Sequence, residues 1–328
     1  MAITATDIAQ ELGLSQSTVS RILNGDTRQR ISAGTRERVL QAAARLEYQP
    51  NALARSLRHG RTDVLGLYTR STYDARNDFL SEVLGGLQQA CGRHGQDLML
   101  QTGRSNKTTD EIFNAVRDGR IDGLVIHNEP EDPLVQRLAA SSMPVVGIAD
   151  PHPQLPCVTC DDAAGMQLIV EHLLNRGYRR FAFLEPSFSL ASVVRRRMAW
   201  SQALEKSGVL EDDRILIEVN AEDAGAAFRD PGVYLQGPVA VSCWNDQTAY
   251  SLLRSCSERN ISVPGQIAVT GFDGLLDTKL PQRQLVSVDC HWATVAERSI
   301  DVLMRLIAGE TVPSETRIPV TLIEGDTT

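Results

Sequence analysis

Along the first fifty residues, apolar positions recur at spacings of three and four: Ile8, Ala9 and Leu12, then Val19, Ile22 and Leu23, then Val39, Leu40, Ala43 and Leu46. Each set falls on one side of an α-helix, so the pattern predicts three short amphipathic helices. Their ends are marked as well. Thr4 with Asp7 makes a capping-box start, Gly13 closes the first helix, Ser15 N-caps the second, and Ser32 N-caps a third running through "AGTRERVLQAAARLEY". Ala9 is small where two helices must cross, Gly13 permits the turn, and Val19 packs the second helix on the first. This is the spacing of a helix-turn-helix.

From residue 62 the period changes. "DVLGLY", "DLMLQ", "DGLVIH" and "PVVGI" read as buried parallel strands, separated by helices near 79 to 94, 108 to 118 and 132 to 141. The rhythm repeats with strands at "RFAFLE", "ILIEV", "VAVSC" and "IAVTGF" and helices near 163 to 176, 192 to 207 and 246 to 260. Gly95, Gly177 and Gly208 each follow a helix, as C-terminal glycines do. The predicted fold class is α/β: an N-terminal all-α helix-turn-helix domain, then two doubly wound parallel-sheet lobes facing each other across a cleft.

The 328-residue chain has a net charge of -8, but the charge is uneven. Residues 1 to 61 hold nine Arg and no Lys against five acids, whereas the remainder holds 24 basic against 36 acidic residues. A basic head on an acidic body implies a nucleic-acid partner for the head alone. Six cysteines make no disulfide framework in a chain of this size. The CxxC pair, Cys157 and Cys160, lacks two further ligands, so no metal is expected. There is no GxGxxG, P-loop or GxSxG motif, so neither a cofactor nor enzymatic chemistry is expected. No apolar run reaches membrane-helix length and no signal peptide opens the chain, which predicts a cytoplasmic protein without a membrane partner.

The second helix carries candidate chemistry on its outward face. Gln16, Ser17 and Arg21 point away from the Val19 stripe, where side chains reach base edges in a major groove, and Arg21 has the fork for guanine. Ser15, Thr18 and Ser20 offer short hydroxyls suited to phosphate oxygens. Further on, in "YQPNALARSLRHGRT", Pro50 stops the third helix, and Asn51 to Arg58 spans about two turns, too few to be stable alone.

These stretches, "DIAQELGLSQSTVSRILNG", "ISAGTRERVLQAAARLEYQPNALARSL", "WNDQTA" and "VTGFD", resemble the lactose-repressor (LacI) family of bacterial transcription regulators over the whole chain. The resemblance implies a helix-turn-helix domain at 1 to 49, a hinge helix and linker at 50 to 61, and an effector-binding and dimerisation domain at 62 to 328. In that domain the N-lobe comprises 62 to 158 and 291 to 320, the C-lobe 159 to 290 and 321 to 328, with crossings near 158 to 162, 288 to 291 and 318 to 321. The hinge would fold when two subunits sit on an operator, with Leu57 wedged into the minor groove beside Arg55. The implied DNA-contact set is Thr4, Ser15, Gln16, Ser17, Thr18, Ser20, Arg21, Asn24, Asn51, Ala54, Arg55 and Leu57. "GDTRQRI", after Asn24, is about two residues longer than in familiar members and brings Arg28 and Arg30 to that loop.

The implied effector set is Tyr73, Phe79, Arg104, Arg196, Trp244, Asn245, Asp246, Asp273 and Cys290. Several have a plainer reading: Arg196 lies in a basic run at a helix start, Asp273 can cap a loop, and Trp244 serves equally as core. Two departures bear on the ligand: Ala149 stands where the family often has Asp, with Asp150 one later, and Cys290 replaces a common Gln. The implied function is a homodimeric repressor of double-stranded DNA that reads a pseudo-palindromic operator under control of a small molecule, a sugar or sugar derivative before a purine or other non-sugar. Dimer contacts would lie on the helices at 79 to 94 and 246 to 260. The rival is a solute-binding protein without a DNA role.

Overall fold

A computed structural model describes residues 3–25, 31–49, 56, 60–69, 77–102, 107–127, 132–187, 190–219, 238–275 and 284–328. The chain divides into two compact units, Met1–Thr62 and Asp63–Thr328. In the first, α1 (Ala5–Leu12), α2 (Gln16–Leu23) and α3 (Ala33–Arg45) enclose a core of Ile8, Ala9, Val19, Ile22, Val39, Ala42 and Ala43. Thr4 and Asp7 form the reciprocal capping box, with the Thr4 amide donating to the Asp7 carboxylate at 2.8 Å. Gly13 turns in the left-handed region at φ 64, and the Ser15 and Ser32 hydroxyls accept from the amides of Thr18 and Thr35. One expected core position moves: Leu40 is half exposed, and Ala42 is buried instead. Residues 39, 42, 43 and 46 share a face of a 3.6-residue helix, and Leu40 lies about 100° from Val39.

The second unit begins with β1 (Val64–Thr69), α4 (Asp78–Arg93), β2 (Asp97–Thr102), α5 (Thr109–Val116), β3 (Gly123–His127), α6 (Pro133–Ala139), β4 (Val145–Ile148) and β5 (Cys157–Cys160). It continues with α7 (Asp162–Asn175), β6 (Phe181–Pro186), α8 (Ala191–Lys206), β7 (Arg214–Val219), β8 (Val239–Cys243), α9 (Asp246–Glu258) and β9 (Ile267–Thr270). Last come β10 (Ser287–Asp289), α10 (Trp292–Ile307), β11 (Glu315–Ile318) and β12 (Thr321–Ile323).

The N-terminal sheet has the order β11-β5-β4-β3-β1-β2 and the C-terminal sheet β7-β6-β8-β9, with every pairing parallel. Both follow the doubly wound rule, in which the order reverses beside the first strand and leaves a crevice at the strands' carboxyl ends. The chain passes between the sheets after β5, after β10 and after β11, and β10 and β12 pair antiparallel. A shared apolar cluster runs from Leu65 and Val146 in the first sheet to Phe183 in the second and Trp200 on α8. Helix α10, absent from the sequence-based reading, packs along α4, where a Cβ at Gly86 would strike the Ala293 carbonyl. Among the described residues no helix is long and apolar enough to cross a membrane.

Candidate functional site

In the first unit, α2 buries Val19 and Ile22 and turns Gln16 and Ser17 outward, with Thr18, Ser20 and Arg21 partly exposed. The Ser15 hydroxyl meets those of Ser17 at 2.9 Å and Thr18 at 2.8 Å, so three hydroxyls gather at the positive end of the helix. Thr4, at the start of α1, and Asn24, just past α2, are also exposed, and the Asn24 amide donates to the Ser20 hydroxyl at 3.3 Å. The helix N-terminus, its clustered hydroxyls and the nearby guanidinium suit a polyanionic backbone with base edges behind it. Asn51, Ala54, Arg55 and Leu57 lie outside the described residues, as do Arg28 and Arg30.

In the second unit, the residues expected at the effector site converge from strands far apart in sequence. Arg196, on α8, is 2% exposed. Its Nε donates to Asp162 at 2.9 Å, and its Nη1 to the Trp244 carbonyl at 2.7 Å and to Asp273 at 3.2 Å. The guanidinium stacks 3.9 Å from the centre of the Phe272 ring. Asp273 sits at φ 125, a strained position for any side chain, held by its amide on the Val288 carbonyl at 2.9 Å. Asn245 N-caps α9, and Asp246 accepts from Ser287 Oγ at 2.5 Å and from the Leu275 amide at 2.6 Å. Trp244 is half-buried against the shared core. Cys290 is fully buried, its thiol beside that of Cys160.

On the other side, Phe79 of α4 meets the His127 ring at 5.2 Å and the edge of Trp292 at 4.8 Å. Asp150, after β4, accepts from the Ser192 amide at 2.7 Å and pairs with His127 Nε2 at 3.4 Å. Burial opposes the charge on Asp150, yet His127 and the Ser192 amide hold its carboxyl below the usual range. Tyr73 and Arg104 lie outside the described residues. His127, Asp150 and Asp162 join these contacts although no motif in the sequence marks them. The signal for His127 and Asp150 was their place just at or after strand ends, where ligands meet such sheets. Among the described residues no cluster of His, Cys, Asp or Glu is placed to hold a metal ion, and all six thiols are free and buried.

Four carboxylates, Asp150, Asp162, Asp246 and Asp273, are buried, and Asp162 and Asp273 both bond the buried guanidinium of Arg196. Three of them meet helix N-termini, Asp162 opening α7, Asp246 opening α9 and Asp150 reaching the start of α8, where the helix dipole favours negative charge. Asp273 has no such end. Burial pushes its carboxyl up to about 7 against the pull of Arg196, with the like charges of Asp246 and Asp162 adding to the rise. Burial likewise raises Asp246 to about 6. For a carboxyl raised on folding, the native state holds more protons than the unfolded chain between the two values, so stability is lost as pH rises through that window. The melting temperature is therefore expected to fall between pH 5 and 7.5 and to fall less in Asp273→Asn. Parallel slopes for the two proteins in thermal unfolding would contradict this.

Residues 4–51 match the family of "Bacterial regulatory proteins, lacI family", and residues 170–328 match the "Periplasmic binding protein-like domain". The chain is similar to the HTH-type transcriptional repressor PurR of Vibrio atlanticus (strain LGP32), 28% identical with 93% of this chain and 92% of the relative covered. It is 26% identical to the HTH-type transcriptional regulator GalR of Escherichia coli (strain K12), covering 96% and 92%. Its fold matches the crystal structure of the lac repressor dimer bound to operator and the anti-inducer ONPF, with a TM-score of 0.85, 24% identity and coverage of 100% and 99%. It also matches the transcriptional regulator CelR-cellobiose complex, with a TM-score of 0.72, 24% identity and coverage of 99% and 100%.

A helix-turn-helix unit joined to a doubly wound two-sheet unit, with relatives of this kind along nearly its whole length, defines a DNA-binding transcriptional regulator rather than an enzyme. The chain carries a lacI-family helix-turn-helix domain at 4–51 and a periplasmic-binding-protein-like domain at 170–328, and the relatives it matches are transcriptional regulators.

Proposed function

We propose that the protein is a homodimeric repressor that reads a pseudo-palindromic operator through α2 and responds to a small molecule, a sugar or sugar derivative first, bound between its two sheets. The observation that carries this reading is the outward face of α2, where Gln16, Ser17 and Arg21 stand beside the hydroxyls of Ser15 and Thr18 while Val19 and Ile22 anchor the helix. Arg21 and Gln16 would contact base edges, and the hydroxyls the phosphates. Asn51, Ala54, Arg55 and Leu57 would act in the minor groove by analogy with the family.

The effector reading rests on the carboxyl-end crevices of both sheets and on the donors and acceptors converging there, Arg196, Asn245 and Asp273 on one side and Phe79 with His127 on the other. Relatives are consistent with it, since one solved neighbour is a dimer on operator DNA and another a cellobiose complex.

The test is selection of duplexes from a random pool by the full-length protein. An inverted repeat is expected, because a twofold dimer demands a twofold site. The selected duplex is then titrated with protein in the presence of neutral sugars, sugar phosphates and purines, one of which is expected to change the affinity. Recovery of no preferred sequence would overturn the DNA reading.

A further inference from the structure

We propose that Asp150 and Glu315 form an effector-independent clamp on the first two turns of α8, which joins the two sheets beside the interlobe site and sets the balance between its closed and open arrangements. This rests on the reading of the second unit as the effector-responsive one and names a device that regulates it.

Helix α8 belongs to the C-terminal sheet, packing on β6 and α7. Its N-cap, Leu190, supplies no side-chain acceptor. The N-terminal sheet supplies one instead: Asp150, after β4, takes the Ser192 amide at 2.7 Å. One turn further, Arg195 Nη1 reaches Glu315 Oε1 at 2.8 Å, and its Nε lies 3.3 Å from Asp162 Oδ2. Glu315 opens β11, beside β5 in the N-terminal sheet. Positions 192 and 195 share a helix face, so both grips act on the same side of α8.

The grip of Glu315 is oriented in advance. Thr159 Oγ1 donates to its Oε1 at 3.0 Å and Arg317 to its Oε2 at 2.7 Å, so the carboxylate already faces Arg195 with its other bonds made. Burial opposes its charge, but Arg317, Arg195 and Thr159 outweigh burial and hold it ionised down to about pH 2. Opening the site on this side requires losing both contacts, and an effector shifts the equilibrium only by the difference in its affinity for the two arrangements.

The test is hydrogen exchange followed by mass spectrometry on the full chain, without DNA or added ligand, for wild type, Arg195→Gln, Glu315→Gln and the double variant. Exchange of the amides at 191 to 196, Ser192 included, is expected to rise by about tenfold in each single variant, the scale of one supporting contact in a local opening. The double variant is expected to exchange no faster than the faster single, since both remove one contact. Exchange within β6 and β8 should stay at the wild-type rate. Arg195→Gln decides between a clamp and simple support of β11, because Glu315 also binds Thr159 and Arg317 within its own sheet. Arg195→Lys, which keeps the charge and the apolar stem, should give an intermediate rise. Unchanged Ser192 protection in Arg195→Gln, or single effects that multiply in the double variant, would overturn the clamp. Neither result touches the DNA reading, which only the duplex selection can reject.

Discussion

Arg196→Met is expected to destabilise the second unit by about 3–5 kcal/mol, because it removes one partner of a buried ionic cluster and leaves the other charges in place. Asp162 and Asp273 are both buried, and the guanidinium is the only buried cation among the described residues. Methionine keeps much of the stem volume against Phe272, so the loss reports the charge rather than a cavity. The melting temperature should drop on the order of 10 °C at pH 7.5. It should drop less at pH 5, where the raised carboxyl of Asp273 takes up a proton and no longer needs a counter-charge. Adding Asp162→Asn to Arg196→Met should recover part of the stability. A loss of less than about 1 kcal/mol that is indifferent to pH would show that Arg196 is held by packing alone.

Arg21→Ala is expected to weaken binding to the selected duplex by about 1–3 kcal/mol, roughly 5- to 150-fold, while leaving affinity for random duplex nearly unchanged. The first unit should melt at the wild-type temperature, since its core is built from Ile8, Val19, Ile22 and Val39 and Arg21 is partly exposed on α2. Fluorescence anisotropy on the two duplexes at fixed salt measures both quantities. An equal loss on random and selected duplexes would make Arg21 a phosphate contact, because phosphate contacts carry no sequence information.

Much of the first unit was legible because its determinants are local. The capping box of Thr4 and Asp7 spans three residues, and Ser15 and Ser32 each cap an amide three residues on. Gly13 adopts the positive φ that ends the helix where expected. The error at Leu40 is instructive, since two adjacent apolar residues, Val39 and Leu40, left the face of α3 undecided. Packing against α1 and α2 chose Val39 and Ala42, and no window within α3 contains that information.

Strands β1–β4 and β6–β9 were likewise legible from their apolar runs, whereas β5 and β11 of the first sheet were not, and the polar residues after strands marked candidate ligand positions. The bonds among those positions were not legible. Arg196 finds Asp162 34 residues away and Asp273 77 away, separations with no periodic signature. Arg195, which a sequence reading gives as part of a solvated basic run, reaches Glu315 120 residues on. Asp150 stands one residue past the position where the family often has Asp, and its carboxylate is engaged by Ser192 and His127.

The helices of the first unit and their caps, the alternation of strand and helix in the second, and the resemblance to lacI-type regulators could all be read from the sequence. Backbone propensity, capping and apolar periodicity act over a few residues, and these features depend on nothing longer. The tertiary structure alone decided which buried charges face one another and which contacts tie the two sheets together. Burial removes water as the alternative partner for each charge, so its partner is set by whatever strand end or helix start the fold brings within hydrogen-bond reach.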